Sequence, residues 1–304
     1  MREDFAQYVS FVDACLRAIE SARDDHLILD PFAEPLTRQI APKLVPRFKA
    51  ETYRPEDFMA LRSRYLDEAI LHRNPNIQQV VILGAGLDTR AFRLGSLRGC
   101  HVFEIDQSVQ LFAHKSAVLN ELDPELIAER HNCIVANLND FNWEENLLSS
   151  RFNPDIPTFW AMEGLTMYLT RASNLALLKT IDILSAPGSE IWADMMGEAL
   201  VTGNELGLFT ELSQLCESEV GETLFIYGEN DVLEGVFSEL SWEMEVKAAL
   251  ANQGTHFGRE WVPMRSRWDN TPVAFTFVLA KKPLQICRNQ ISLIQMQRSI
   301  IIYH

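Results

Sequence analysis

The residues of this chain best placed to do chemistry are Gly84, Gly86, Glu104, Asp106, Asn137, Leu138 and Glu163. Each stands at or just beyond the end of a short apolar run. Gly84-Ala85-Gly86 follows Val80-Val81-Ile82-Leu83, and two glycines there permit a sharp turn that leaves no Cβ in the way of a ligand crossing the strand tip. Asp106 follows Gly86 by about 20 residues, the spacing at which a carboxylate reaches ribose hydroxyls. One carboxylate accepting from two hydroxyls makes strong, charge-assisted bonds. Two cofactor classes suit such a turn. A dinucleotide asks for G-x-G-x-x-G, but Thr89 occupies the third glycine position and Asp88, at the start of the next helix, would repel a pyrophosphate. S-adenosylmethionine has no phosphate and carries a positive sulfonium, so a carboxylate-rich rim favours it. The G-x-G turn by itself leaves both open.

The elements that must position these residues alternate. Strands are expected at 80–83, 100–106, 131–136, 157–162 and 190–195, with helices between them, and two more strands at 240–246 and 273–280. That alternation predicts an α/β, doubly wound parallel sheet. Before it, helical spacing covers residues 4–22, 30–40 (opened by Asp30-Pro31 and closed by Pro42 and Pro46) and 56–72. The predicted organisation is an N-terminal helical cap over 1–74, a core over 75–282 with a cap insertion after strand five at about 197–240, and a tail over 283–304 ending in Ile300-Ile301-Ile302-Tyr303. Spacing alone does not order the last strands.

The totals exclude several function classes. The 304 residues hold 27 Lys+Arg against 42 Asp+Glu, a net charge of −15, which repels nucleic acid and anionic lipid as general partners. Five cysteines, with no C-x-x-C pair, disfavour a disulfide framework or a zinc site, so no metal is expected. Without a signal-peptide core or an apolar run of spanning length, the reading is a cytoplasmic protein with no membrane partner.

Three motifs together, Val81 to Leu94, Phe103-Glu104-Ile105-Asp106-Gln107 and Glu163 to Leu169, resemble the leucine carboxyl methyltransferase superfamily, which includes bacterial O-methyltransferases of polyketide and peptide natural-product pathways. The resemblance covers residues 55–195 best, with Ala186-Pro187-Gly188-Ser189 also in pattern. It implies a class I (Rossmann-like) methyltransferase fold using S-adenosyl-L-methionine. On that reading Gly84 and Gly86 pack on the methionyl part of the donor, Asp106 binds the ribose, and Leu138 with Asn137 flanks the adenine. Glu163 faces the donor's ammonium, and Arg64 holds its carboxylate, with Arg62 the competing choice. Asn137 departs from the family's Asp at that place, and Asp140 is the other option.

The remaining candidates lie elsewhere. Glu104 is either a direct contact to the donor or a satisfied or rim carboxylate, and Arg90 and Arg93 are expected to brace their helix against acids such as Glu104. His256 and Tyr168 are the weak candidates for a catalytic base or acid. Residues 256–268 concentrate three arginines, a histidine and two tryptophans. They form either a surface loop or a substrate clamp, with Arg265, Arg267 and Trp261 its contacts. The function expected is O-methylation of a carboxylate or hydroxyl of a small molecule, with a carboxyl methyltransferase acting on a protein terminus as the alternative.

Overall fold

The computed structural model describes residues 3–48, 54–140, 142–202, 225–265 and 270–284. Its frame is a seven-stranded sheet in the order β3-β2-β1-β4-β5-β9-β6. The strands are β1 (Gln79–Leu83), β2 (His101–Asp106), β3 (Arg130–Val135), β4 (Thr158–Met162), β5 (Glu190–Met196), β6 (Glu243–Ala249) and β9 (Phe275–Lys281). A separate hairpin pairs β7 (Gly254–His256) with β8 (Arg259–Trp261). β1 to β5 pair in parallel, while β9 runs antiparallel between β5 and β6. This is the doubly wound α/β fold expected, with the last two strands now ordered.

Strand alternation sorts the core into two layers. Val80, Ile82, Val102, Phe159, Ala161, Trp192 and Phe277 lie in one apolar cluster, and Val81, Leu83, Phe103, Ile105, Trp160 and Ile191 in the other. All five β1 residues are buried, as an apolar run without alternation requires when helices cover both faces. Burying each large side chain contributes about 1.5–3 kcal/mol.

Four helices precede β1: α1 (Glu3–Ser21), α2 (Ala33–Thr37), α3 (Ala41–Phe48) and α4 (Pro55–Leu71). The stretch expected as one helix from 30 to 40 is α2 alone, and a second helix follows. Pro42 sits in the first turn of α3, where a missing N–H costs nothing, instead of closing the segment. Pro55 opens α4, with Glu56 and Asp57 in its first turn. Leu61, Leu66 and Ile70 of α4 enter the first core layer beside β1 and β9, so this helix covers a sheet face.

Beyond β1 come α5 (Arg90–Arg93), α6 (Val109–Leu122), α7 (Trp143–Ser149), α8 (Arg171–Ile183) and α9 (Ala199–Thr202). The Ser108 hydroxyl accepts from Leu111 N at 3.1 Å and caps α6, and Thr170 caps α8 through Ser173 N at 3.0 Å. Leu177, Leu178 and Ile181 of α8 join Trp143 and Leu147 of α7 in the second layer. Of the expected insertion, α9 and a one-turn 3-10 helix (Val236–Glu239) are described. Residues 203–224, Arg267 and the apolar tail lie outside the described residues.

Candidate active site

A cleft of about 970 Å³, open to solvent, lies beyond the carboxyl ends of β1, β2 and β4. Gly84, Gly86, Asp106, Asn137, Leu138 and Glu163 all line it. The structure therefore brings together six of the residues singled out from the sequence. Gly84 and Gly86 take φ of +67° and +48°, a left-handed conformation that costs L side chains but not glycine. A Cβ on Gly86 would stand 2.6 Å from Ser10 Oγ of α1, so the turn needs glycine for space as well as conformation.

Asp106 ends β2 and is held by backbone. Its Oδ2 accepts from Gly86 N and its Oδ1 from Ser108 N, each at 2.9 Å. Burial pushes its carboxyl up, against the pull of those two amides. The carboxylate keeps further lone pairs for ligand hydroxyls.

Glu163, just past β4, is held by arginines. Arg62 Nε reaches its Oε1 at 3.3 Å, Ser63 Oγ donates to the same oxygen at 3.1 Å, and Arg90 Nη1 meets Oε2 at 2.8 Å. Burial alone would raise the Glu163 carboxyl, but Arg90 and Arg62 hold it well below the ordinary range. Arg62 Nη2 also binds Asp13 Oδ2 at 2.7 Å, and its Nη1 lies 3.7 Å from Asp194 Oδ2. Asp194, on β5, accepts from Gly164 N at 2.7 Å. Burial outweighs Arg62 there and lifts its carboxyl to about 6.

Arg62 of α4, not Arg64, faces the cleft. Arg64 is turned away, paired with Glu68, bonded to Leu27 O at 3.2 Å and lying over the Phe257 ring. Glu104 is also off the cleft. It is fully buried between Lys115 and His131, because α6 lays Lys115 across its face of β2. Arg90 and Arg93 brace α5 as expected, but against Asp67 of α4 instead of Glu104. Asn137 Oδ1 is engaged by Asn139 N at 3.0 Å in a local turn. Asp140 is exposed and not part of the cleft wall.

The described part of the arginine-rich segment, residues 256–265, does not line this cleft, and Arg267 lies outside the described residues. Arg259 of β8 is buried and anchors the hairpin to Glu20 of α1 and Asp57 of α4. Trp261 is buried with its Nε1 donating to Leu250 O at 2.9 Å. Arg265 is exposed and bonds Asn270 O at 2.8 Å. His256 Nδ1 and Tyr65 OH are hydrogen-bonded at 2.8 Å, away from the cleft wall. Tyr168 does line the cleft, and burial holds its phenol well above its ordinary value.

Sequence reasoning passed over α1. Ser10, Asp13 and Arg17 all line the cleft, and Arg17 Nη2 donates to Leu87 O at 2.7 Å beside the glycine turn. Their spacing of three and four residues places them on one helix face, a polar stripe opposite Val12 and Leu16.

A family model for leucine carboxyl methyltransferase matches residues 10–182. A Mycolicibacterium smegmatis protein is 32% identical over 263 residues, spanning 81% of this chain and 87% of its own. This chain belongs to the leucine carboxyl methyltransferase family. The M. smegmatis relative carries S-adenosyl-L-methionine-dependent methyltransferase as a provisional name, as does a Saccharopolyspora erythraea relative that is 40% identical over 185 residues, 59% of this chain. The match spans about three fifths of the first relatives' length, 59% and 63%, and more of the M. smegmatis one. A Thermobifida fusca structure provisionally named a methyltransferase aligns over 90% of this chain and 94% of its own at a TM-score of 0.56 and 14% identity, a likeness of fold.

The family's cofactor, S-adenosyl-L-methionine, fits the residues present. The glycine turn lies open to the cleft, with a Cβ meeting Ser10 at Gly86 and fitting tightly against Leu165 at Gly84. Asp13, Asp88, Asp106 and Glu163 outnumber Arg17 and Arg62 on the wall, which suits a sulfonium flanked by a single carboxylate.

Proposed function

We propose that this protein is an S-adenosyl-L-methionine-dependent O-methyltransferase acting on a carboxylate or acidic hydroxyl of a small molecule. The observation that carries the reading is one cleft with two unlike ends, the amide-held Asp106 at β2 and the arginine-held Glu163 at β4. Asp106 would hold the ribose hydroxyls. Arg62 would hold the donor's carboxylate and Glu163 its ammonium, and Leu138 would lie against the adenine. When bound, the donor supplies an electrophilic methyl group on sulfur. The chain's part is to orient donor and acceptor and to exclude water, since near-attack placement supplies much of such a rate.

The wall groups favour an acceptor that arrives ionised. Tyr168 stays protonated near neutrality and serves as a hydrogen-bond donor, not a base. Glu163 is an anion already neutralised by two arginines. A carboxylate or acidic phenol needs no proton removed before it attacks. The resemblance of the three motifs adds that polyketide- or peptide-derived acids are the acceptors to try first.

Calorimetric titration with the donor tests the cofactor site. Asp106→Ala should weaken binding by about 1.5–3 kcal/mol, as loss of bonds to a charged group does, and wild-type affinity in that variant would overturn the assignment. Radiolabelled donor offered with cell extract tests the acceptor. Label in the small organic fraction, released as methanol by mild alkali, marks a carboxyl ester. Alkali-stable label excludes a carboxyl ester, and fragmentation of that product must then place the methyl on oxygen or overturn O-methylation; label in protein overturns the small-molecule reading.

A further inference from the structure

Outside the donor cleft, β2 and β3 bring together three side chains of metal-ligating type. Register sets Glu104 opposite Cys133, and strand period puts His131 on the same face as Cys133. One ligand atom from each of Glu104, His131 and Cys133 lies within 4.8 Å of the others. His131 Nε2 is 3.0 Å from Glu104 Oε1, and Cys133 Sγ is 3.8 Å from both His131 Nε2 and Glu104 Oε2. Zinc bonds of roughly 2.0–2.3 Å at tetrahedral angles set ligand-to-ligand edges of about 3.3–3.6 Å. The His131–Glu104 and His131–Cys133 edges lie within a few tenths of an ångström of those lengths, and a modest turn of the exposed Cys133 side chain would bring Sγ to the same ion as Glu104 Oε1.

The surroundings fit a built site. Lys115 holds the second Glu104 oxygen, which leaves the first for a single bond outward, the kind of outer contact that fixes a ligand's orientation. Phe92 packs edge-on against the His131 ring at 5.2 Å. A hollow of about 630 Å³, lined by His131, Cys133, Lys115 and Ser116, opens the cluster to solvent. Glu104 is fully buried and Cys133 exposed, so an ion entering from that hollow meets the thiol first.

We propose that Glu104, His131 and Cys133 bind one borderline-soft divalent cation of the Zn²⁺ type, with its fourth position facing this hollow. Sulfur and imidazole select such an ion over Mg²⁺ or Ca²⁺. With thiolate, carboxylate, neutral imidazole, the Lys115 ammonium and the ion, the site carries one net positive charge, the same as with the thiol and imidazole both protonated. Two protons therefore leave as the ion enters. The bound ion cross-links edge strand β3 to β2.

Co²⁺ titration of the chelator-treated full chain tests this, read by the near-ultraviolet thiolate-to-cobalt absorption band. Saturation at one equivalent is expected, with the band lost in Cys133→Ser and affinity lowered at least tenfold in His131→Gln. Cys133 is exposed, so its variant should keep the wild-type far-ultraviolet dichroism and keeps the test interpretable if His131→Gln folds poorly. No band at micromolar protein and ion overturns the proposal. So does a band that persists in Cys133→Ser, which would place the ion on another thiol.

Discussion

The two ends of the cleft solve the burial of a carboxylate differently. At β2, Asp106 is held by two backbone amides and its affinity for a proton rises. At β4, Glu163 sits between two guanidinium groups and its affinity for a proton falls. Amides orient a charge without cancelling it, so Asp106 retains most of its pull on an incoming hydroxyl. Guanidinium groups cancel it, so Glu163 is as much part of the protein's frame as of the binding site. Loss of Asp106 should therefore be felt in binding, and loss of the charges around Glu163 in folding.

The largest effect expected is at Arg90. Its fully buried guanidinium joins Asp67, Asp88 and Glu163, and Arg90→Met leaves Asp88 without its cation while Asp67 and Glu163 each lose one of two arginines. Breaking a buried pair from one side costs about 3–5 kcal/mol, so chemical denaturation should show a marginally folded protein. A small loss would erase the distinction between the two ends.

A smaller effect belongs to Asp194. Its folded pKa of about 6 exceeds the ordinary 3.8, so the folded state binds more protons between those values. The stability from this group is fully present below about pH 4, is lost as pH rises through about 6, and is flat above. Replacing it by Asn should remove that slope and stabilise the protein at pH 7 by up to about 3 kcal/mol. Denaturation curves at pH 4.5 and 7 of wild type and variant check it.

The smallest effect is at Arg64, which is 41% exposed in a surface pair with Glu68. Arg64→Ala should change stability by under about 1 kcal/mol and leave donor affinity unaltered, whereas Arg62→Ala should weaken it. Equal effects of the two in donor titrations would return Arg64 to the site.

This pair also shows what was legible in the sequence. Gly84, Gly86, Asp106 and Glu163 could be read because a strand tip is a local feature, marked where an apolar run stops. Arg62 and Arg64 could not be told apart, because two residues along a helix is about 200° of rotation and the phase of α4 is set by packing on the sheet. Glu104 shares its face with Asp106 by strand period, but its partners Lys115 and His131 come from α6 and β3. No spacing within β2 announces them. The polar stripe of α1 was present in the spacing of Ser10, Asp13 and Arg17. Its destination depended on Arg17 reaching Leu87, 70 residues away.

The place of β9 in the sheet has a consequence for synthesis. Of the described strands it is the last to leave the ribosome, yet it lies between β5 and β6 and supplies hydrogen bonds to both. Until residue 281 emerges, β5 ends the nascent sheet with its ladder groups unpaired, an edge that invites pairing with other chains. The outer edge of β5, Asp194 included, gains its second ladder only when β9 inserts, so a chain stalled before that point should need a chaperone's protection.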